Sequence, residues 1–421
     1  MNEFDNRRNK LFDLLENNSV ALIYSGVSKV MSEDAFYPFF ANRHFFYLTG
    51  IEQENSILML IKTFGEKKTL LFLDEYNEVK ERWTGKRLTF DEASIISGIE
   101  SVYANNNLQS MLDMAIGENK MYGEIKNVYL DLSDEIKINR NYSTQSYAKD
   151  LQATYPEVQV IDVYPLVVEL RKVKSEVEVN NLIEAINITN TGISDLLVNL
   201  RVGTVEHELA DRFEYYGRTH GKRELAFETI IGSGINGTVM HHPIKQQDKV
   251  INEGDLVLFD LGYRYKGYSA DISRTYPVNG VFSDKQRKVY EAVLNCNKAV
   301  INYVKAGLTI LDLQNFALEF LKKETVRLGL VKPEEDIKKY YIHNVSHFLG
   351  LDTHDVGERT TPLVPGNVIT VEPGLYFVEE GIGVRIEDDV LVTDKEAVVL
   401  SKGIKKEIDE VERLLKSRGT R

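Results

Sequence analysis

The chain has 421 residues, of which 43% are hydrophobic and 27% charged, as in a globular protein long enough for two or three domains. Its formal net charge of −13 and its lack of basic runs argue against nucleic acid and anionic membranes as partners. Cys296 is the single cysteine, which excludes an intrachain disulfide and a cysteine-based zinc site and predicts a cytoplasmic location. The polar N-terminus and the short apolar runs predict neither a secretory signal nor a membrane span.

The first part of the chain predicts an α/β domain with a mixed sheet. An amphipathic helix over residues 5–17 precedes apolar, strand-like runs that begin at Val20, Ser56 and Thr69. The only tryptophan, Trp83, stands among basic residues in ERWTGKRL. Helix and strand patterns alternate to about residue 162, which indicates helices packed on a sheet.

The sequence pattern changes near Pro165, which interrupts the preceding alternation of helix and strand patterns. Ser175, with Glu178 three residues later, has the form of a helix capping box. We therefore expect two domains, an N-terminal one over residues 1–168 and a C-terminal one over residues 169–421.

The second part of the chain presents a pair of helices followed by strands, and then presents the same order again. This order predicts an α+β domain made of a duplicated half, with helices on one face of an antiparallel sheet. The predicted helices follow residues 175, 204, 283 and 308.

Two strand-like runs, LVLFDLGY and YSADISRTYPV, are separated by Lys266-Gly267 and predict a β-hairpin. A hairpin centred on Tyr265-Lys266 would place Asp260 directly opposite Asp271. Side chains in that relation lie about 5 Å apart, and two carboxylates at this distance repel each other unless a proton or a cation intervenes. The pair therefore suggests a divalent metal.

A second acidic pair repeats this geometry, because a hairpin centred on Glu379-Glu380 would place Glu372 opposite Glu387. Five histidines also fall between residues 241 and 354. Such oxygen-rich ligand sets suit manganese, magnesium or iron, and they also accept zinc or cobalt. Four carboxylates exceed the needs of one ion, whereas two ions about 3.5–4 Å apart would balance their charge and favour metal-assisted hydrolysis.

The competing interpretation is that each of these residues is structural or solvated. An acid within a strand usually faces solvent, and we expect this of Asp388 and Asp389. His242 is expected to be a packing or surface residue, and His207 and His220 structural or exposed. The joint occurrence of four strand-embedded acids with the histidine cluster is what favours a site.

Five segments occur in the order found in the pita-bread metallopeptidases, the family of methionine aminopeptidase, aminopeptidase P and prolidase, and they resemble the motifs of that family. They are NGTVMHH, DLGYRYKGYSADISRT, HNVSHFLGLDTHDVG, TVEPGLYF and GVRIEDDVLVT. In the third, Asn344 replaces the glycine that usually follows the first histidine. ALIYSG, FFANRHFFYLTG and ERWTGKRL resemble the N-terminal domain of aminopeptidase P, so the resemblance covers essentially the whole chain.

This resemblance implies a pita-bread fold with two divalent ions, for which manganese is the expected metal and zinc, cobalt or iron are alternatives. Asp271 and Glu387 would bridge both ions. Asp260 would bind one ion, and His347 and Glu372 would bind the other.

The resemblance also implies catalytic roles. Glu372 would serve as the acid/base for the attacking water, and His241 and His354 would donate to the scissile carbonyl and the tetrahedral intermediate. The residues expected to line or support the substrate pocket are His343, Arg385, Tyr376 and Trp83.

The activity implied is that of a Xaa-Pro aminopeptidase, which acts on peptides with proline at the second position. A Xaa-Pro dipeptidase is the alternative, because its ligands and histidines would be almost the same. A non-catalytic peptide-binding protein of the same fold is the third possibility, although such relatives typically lose ligands. We also expect a homodimer or homotetramer in which the N-terminal domain serves assembly and forms the rim of the active site.

Overall fold

The computed structural model describes residues 2–117, 121–132, 136–139, 141–221 and 224–417. The chain divides into two compact units, Met1–Arg171 and Lys172–Arg421. Among the described residues, no helix combines the length and the apolar character needed to cross a membrane.

The first unit is built on a mixed sheet. Its strands are β1 (Ser19–Tyr24), β2 (Val30–Ser32), β3 (Ala35–Phe36), β4 (Ile57–Lys62), β5 (Lys67–Leu73), β6 (Val102–Ala104), β7 (Asn127–Leu130), β8 (Lys137–Asn139), β9 (Tyr142–Ser143) and β10 (Gln159–Asp162). The main sheet has the order β10–β7–β1–β4–β5–β6. β1 pairs parallel with β7 and antiparallel with β4, which confirms the predicted mixed sheet.

Seven helices of the described chain accompany these strands: α1 (Glu3–Leu14), α2 (Arg43–Thr49), α3 (Glu78–Thr84), α4 (Phe90–Ser97), α5 (Leu108–Ile116), α6 (Thr144–Thr154) and α7 (Tyr164–Lys172). α1 begins two residues earlier than predicted because Asn2 and Asp5 form a capping box at its start. β1 is buried along its whole length, which agrees with the apolar run that follows Ser19.

Pro165 does not interrupt the structure in the way that its sequence context predicted. It lies in the first turn of α7. A proline is tolerated there because the N–H groups of the first turn have no partner within the helix. The change of sequence pattern at this point therefore marks the start of a helix.

The second unit contains the predicted helices and strands in the predicted order. Its helices are α8 (Glu176–Asn199), α9 (Glu206–Thr219), α10 (Asp284–Tyr303), α11 (Ile310–Arg327) and α12 (Ile408–Lys416). Its strands are β11 (Ile230–Ser233), β12 (Leu256–Leu261), β13 (Arg264–Tyr265), β14 (Tyr268–Ser269), β15 (Ile272–Pro277), β16 (Val368–Val371), β17 (Gly374–Phe377), β18 (Ile382–Arg385), β19 (Asp388–Leu391) and β20 (Val398–Val399). The strand pairs of this unit are antiparallel.

The capping signals of this unit are largely confirmed. Ser175 caps α8 in a capping box with Glu178, as predicted. α9 begins one residue later than expected, because Val205 rather than Thr204 is its N-cap. The Glu208 carboxylate accepts a hydrogen bond from the backbone N–H of Val205 at 2.9 Å.

The register of the first acidic hairpin differs from the prediction by two residues. Asp260 pairs with Ser273, not with Asp271. The turn is centred on Lys266-Gly267, whose φ values are 49° and 85°. Two positive φ values are typical of the two-residue hairpin turn whose twist matches the twist of the flanking strands. Because side chains alternate with a period of two, a shift of two residues keeps Asp271 on the same face as Asp260.

The register of the second acidic hairpin is confirmed. β16 and β19 pair up to Val371 and Asp388, and β17 and β18 continue in the same register. In that register, Glu372 lies opposite Glu387 in the gap between the two ladders. Pro373 lies in this gap, consistent with the interruption of a ladder at a residue that lacks an N–H.

The two acidic hairpins are joined through their backbones. The N–H of Glu387 donates to the carbonyl of Ser273 at 3.0 Å. A 3₁₀ turn, Gly234–Thr238, approaches β18 so closely that a Cβ on Gly383 would lie 1.9 Å from the carbonyl oxygen of Gly237. This contact places the turn that precedes His241 beside the second hairpin.

Candidate metal centre

A cavity of about 770 Å³ lies in the second unit and opens to solvent. Aromatic and aliphatic side chains such as Phe227 and Met240 form part of its wall. The cavity is large enough for a small peptide. Its lining includes the predicted site residues Asp260, Asp271, Glu372, Glu387, His241, His343, His347, His354 and Arg385.

Two of the predicted site residues are not part of the cavity lining. Tyr376 is 2% exposed and contacts the lining residues His343 and Arg385 from behind. Trp83 lies on α3 of the first unit and is 86% exposed. The structure of the second unit therefore brings together all the predicted site residues except Trp83.

Within the described residues, three overlapping groups of side chains could each hold a metal ion. In each group, one ligand atom per residue lies within 4.8 Å of the others. The groups are Asp271–His347–His354, His347–Glu372–Glu387 and Asp260–Asp271–Glu387. All five predicted ligands take part, and Asp271, His347 and Glu387 are each shared between two groups.

The strands carry the four acids to one point. Asp260 lies on β12, and Asp271 immediately precedes the strand that pairs with it. Glu372 follows β16, and Glu387 precedes β19. Thr370 joins β16 to the segment that carries His347, because its N–H donates to the carbonyl of His347 at 2.9 Å.

The imidazole of His347 is held in a defined orientation. Its Nδ1 lies 2.9 Å from the carbonyl oxygen of Phe348, to which it donates. Nε2 therefore faces the cluster, 3.4 Å from a carboxylate oxygen of Asp271 and 3.4 Å from one of Glu372. Histidine ligands of metals are commonly oriented in this way by a backbone carbonyl at the other nitrogen.

Arg385 ties two of the acids together. Its Nη2 donates to a carboxylate oxygen of Asp260, and its Nε donates to the hydroxyl of Ser273 at 2.7 Å. That hydroxyl donates in turn to Glu387 at 2.8 Å. Ser273 was not predicted, although its position two residues after Asp271 on the same strand face was a usable signal.

A second branch of this network reaches His343. Arg385 donates from Nη1 to the Tyr376 hydroxyl at 3.1 Å. His343 donates from Nδ1 to the carbonyl of Asn344 at 2.8 Å, so its Nε2 accepts from the Tyr376 hydroxyl at 3.0 Å. Burial and the charge of Arg385 lower the pKa of His343 to about 3, so this imidazole is neutral.

The acids of the cluster are costly as free anions. Burial raises the pKa of Asp260 to about 6 and that of Glu372 to about 7. Burial and the charge of Asp271 raise the pKa of Glu387 well above its usual value. Burial lowers the pKa of His347, but its hydrogen bond to Asp271 and the charge of Glu372 raise it further, to about 9.

This electrostatic balance fits divalent ions. Even when His347 is protonated, His347 and Arg385 together carry only two positive charges. These two charges do not balance the four carboxylates of the cluster. Carboxylate oxygens with an imidazole nitrogen are suitable donors for hard or borderline divalent metals. A bound cation also removes the repulsion that raises the pKa of the buried acids.

Asp388 and Asp389 were expected to be solvated, and this expectation is wrong. Both are fully buried. Burial raises the pKa of Asp388, but Arg274 and Lys406 lower it more strongly, to about 2. Asp389 accepts a hydrogen bond from the backbone N–H of Asp271 at 3.3 Å, and burial raises its pKa. Both acids lie on β19. This strand is covered on both faces, so two successive acids can both be buried.

The remaining histidines differ in exposure. His241 and His354 are exposed side chains of the cavity lining, and the ring centroid of His354 lies 4.2 Å from that of His347. His242 is buried, with its Nε2 3.3 Å from the carboxylate of Glu206, which confirms its expected packing role. The first two can therefore meet a ligand in the cavity.

Comparisons with known proteins agree with this geometry. Residues 180–394 match metallopeptidase family M24, and residues 4–122 match the aminopeptidase P N-terminal domain. The chain is 32% identical to the Xaa-Pro aminopeptidase of Escherichia coli K12, with 98% of this chain and 97% of that protein aligned.

Solved structures show the same relationship. A putative aminopeptidase P from Bacillus anthracis superposes with a TM-score of 0.93 at 39% identity, covering 99% of this chain and 98% of that one. A zinc-substituted aminopeptidase P from E. coli, in complex with product, superposes with a TM-score of 0.88 at 31% identity, covering 99% and 98%. These relatives confirm the predicted pita-bread fold, and the chain belongs to metallopeptidase family M24.

Proposed function

We propose that the protein is a metal-dependent Xaa-Pro aminopeptidase, which hydrolyses the bond between an N-terminal residue and a following proline. The observation that carries this proposal is the convergence of three buried acids with the partly buried Glu372 and His347 in one peptide-sized cavity. The full-length relationship to Xaa-Pro aminopeptidases supports the choice of substrate.

The ligand set is proposed to hold two divalent ions, manganese in the first place. Asp271 and Glu387 would bridge the ions, Asp260 would bind one, and His347 and Glu372 the other. The sharing of Asp271, His347 and Glu387 among the three groups of potential ligands supports a centre with more than one ion. Bound divalent ions would lower the pKa of water and polarise the scissile carbonyl.

The chain's own residues then have distinct tasks. Glu372 is proposed to move the proton of the attacking water, because its carboxylate lies in the cluster at the cavity wall. His241 and His354, which are exposed on the lining, are proposed to donate to the scissile carbonyl as it gains negative charge. Glu372 would thus move the proton of the attacking water, and the two histidines would stabilise the oxygen of the scissile carbonyl.

The selection of proline is proposed to depend on His343. A proline nitrogen within a peptide bond carries no N–H, so a pocket that relies on such a donor does not select it. The neutral His343 ring, fixed by Tyr376 and Arg385, offers a rigid wall for an apolar ring instead. Arg385 and Tyr376 are therefore proposed to support the substrate pocket indirectly.

Alanine at His354 is expected to lower kcat by about a hundredfold, the typical effect of losing one donor to a developing oxyanion. KM should change little, because the donor acts mainly in the transition state. Steady-state kinetics on a Xaa-Pro-Yaa tripeptide measure both constants. His207→Ala, at a half-exposed position on α9, is the control. An unchanged kcat in the His354 variant would remove this histidine from the mechanism.

A peptide panel tests the proposed activity. The protein, stripped of metal and reconstituted with manganese, should cleave a Xaa-Pro-Yaa tripeptide and leave a matched Xaa-Ala-Yaa tripeptide largely intact. A Xaa-Pro dipeptide is the discriminating substrate. Cleavage of the dipeptide alone would replace the aminopeptidase by a dipeptidase, and absence of hydrolysis with absence of bound metal would indicate a non-catalytic peptide-binding protein.

The assembly is proposed to be a homodimer or homotetramer, in which the N-terminal domain, residues 1–168, makes subunit contacts. The exposed apolar side chains Val79 and Trp83 on α3 support such a contact. Trp83 would then reach the rim of a neighbouring active site. The fully buried Cys296, the single cysteine, supports the proposed cytoplasmic location.

A further inference from the structure

A buried asparagine connects α10 to the backbone beside both glutamates of the centre. Asn297 is fully buried. Its Nδ2 donates to the carbonyl of Val371 at 3.0 Å and to that of Ile386 at 3.3 Å. These two carbonyls belong to the residues immediately before Glu372 and Glu387.

The orientation of this amide is determined by a lysine. Lys406 donates from Nζ to Oδ1 of Asn297 at 2.7 Å and to Asp388 at 2.5 Å. An ammonium group can only donate, so the amide oxygen must face it and the NH₂ group must face the two carbonyls. The Tyr290 hydroxyl donates to the carbonyl of Lys406 at 2.8 Å, so α10 holds the lysine as well as the asparagine.

The covalent structure of the hairpin explains why an outside donor is needed. In the register of the two ladders, Pro373 lies opposite Ile386. The N–H of Ile386 donates to the carbonyl of Pro373 at 3.3 Å. Proline has no N–H with which to return the bond. A buried carbonyl without a donor is costly, and Asn297 supplies that donor to Ile386.

The backbone carbonyl of Glu387 itself is also bound by a buried side chain. Arg274 is fully buried and donates from Nη1 to the carbonyl of Glu387. Its Nη2 donates to Asp388 at 2.8 Å and to the carbonyl of Ile404 at 3.1 Å. Asn297 thus binds the carbonyl of Ile386 and Arg274 binds that of Glu387, on the two sides of the Glu387 Cα. Of these two side chains, Asn297 is the one that also binds the carbonyl before Glu372.

We propose that Asn297 is a positioning residue of the metal centre: its side-chain amide replaces the donor that Pro373 lacks and aligns Glu372 with Glu387, so that both carboxylates meet at the ion they share. The inference rests on the proposed function, because it takes these two glutamates as ligands. Asn297 itself touches neither metal nor substrate.

The test is the metal affinity of the full-length Asn297→Asp variant. Aspartate keeps the shape and the contact with Lys406 but removes both donations to the carbonyls. Groups that orient metal ligands typically change affinity by about 10–100-fold when altered, and we expect a loss of manganese affinity in this range. Isothermal titration of the metal-free protein with MnCl₂ measures it independently of turnover.

The matched control is Asn295→Asp on the same helix. Asn295 donates to Glu324 at 2.8 Å, so its replacement removes a donor and adds a charge without touching the hairpin. Its manganese affinity should equal that of the wild type. Circular dichroism confirms that the variants are folded at the titration temperature.

The outcomes separate the inference from the proposed function. A wild-type protein that binds no manganese would overturn the proposed function before any variant is compared. If the wild type binds manganese and Asn297→Asp binds it equally well, the positioning role of Asn297 is overturned. Should Asn297→Asp fail to fold, Lys406→Met takes its place: a weaker manganese affinity supports the role, and an unchanged affinity overturns it.

Discussion

Replacement of Asp271 by asparagine is expected to lower kcat/KM for a Xaa-Pro-Yaa peptide by about a thousandfold, which corresponds to about 4 kcal/mol of transition-state stabilisation. Asp271 belongs to two of the three groups of potential metal ligands, together with His347, His354, Asp260 and Glu387. Asparagine keeps the volume but removes the charge, so the loss reports on the carboxylate. Asp271→Ala should abolish activity.

The control for this experiment is Asp248→Asn, an acid whose side chain is 82% exposed. It should retain wild-type kcat/KM. Metal content, measured by elemental analysis on the same samples, should fall in the Asp271 variants only. Near-normal turnover of Asp271→Asn would contradict a bridging role for this residue.

Metal binding is expected to stabilise the fold, and Glu387→Gln is expected to remove that effect. Metal at about a hundred times its Kd contributes about 2.7 kcal/mol to stability, which raises Tm by about 5–10 °C for a domain of this size. Without metal, Glu387→Gln should melt at or above the wild-type temperature. The neutral amide avoids repulsion by Asp271 and still accepts from Ser273.

The matched control lies on the same hairpin. Glu379 is at its tip and its side chain is 89% exposed, so Glu379→Gln should keep the full metal-dependent rise in Tm. Thermal denaturation with and without manganese measures all three proteins. A Glu387→Gln variant that retained the full rise would show that the stabilising ion binds elsewhere, and one that melted well below metal-free wild type would contradict the electrostatic cost assigned to Glu387.

The acidic hairpins show how far sequence reasoning reaches. Acids within apolar strands, together with turn residues, located Asp260, Asp271, Glu372 and Glu387. The register of the first hairpin was wrong by two residues, because the turn depends on the left-handed conformation of Lys266, which its residue type does not announce. The face was still correct, since side chains alternate with a period of two.

Other parts of the centre depend on contacts between distant segments. Ser273 could have been recognised by alternation, but its link between Arg385 and Glu387 requires both hairpins to be in place. Asn297 lies on a helix 74 residues from Val371 in sequence, and its spacing gives no sign of that contact. The burial of Asp388 is not visible in the sequence, because its partners, such as Arg274, come from other strands and loops.

The same contrast applies to the capping signals. Ser175 was identified correctly because its partner Glu178 is local in sequence. The sequence around Pro165 predicts an interruption, because sequence alone does not distinguish the first turn of a helix from a break. Local chemistry is therefore readable from the sequence, whereas the network that supports the acids depends on packing.

The most direct test of the proposed metal centre combines a metal titration with catalysis. Manganese is titrated into metal-free protein, and hydrolysis of a Xaa-Pro-Yaa tripeptide is measured at each point beside the calorimetric stoichiometry. We expect two ions per chain and an activity that rises with occupancy from a negligible value. Full activity in protein shown to contain no metal would contradict this expectation.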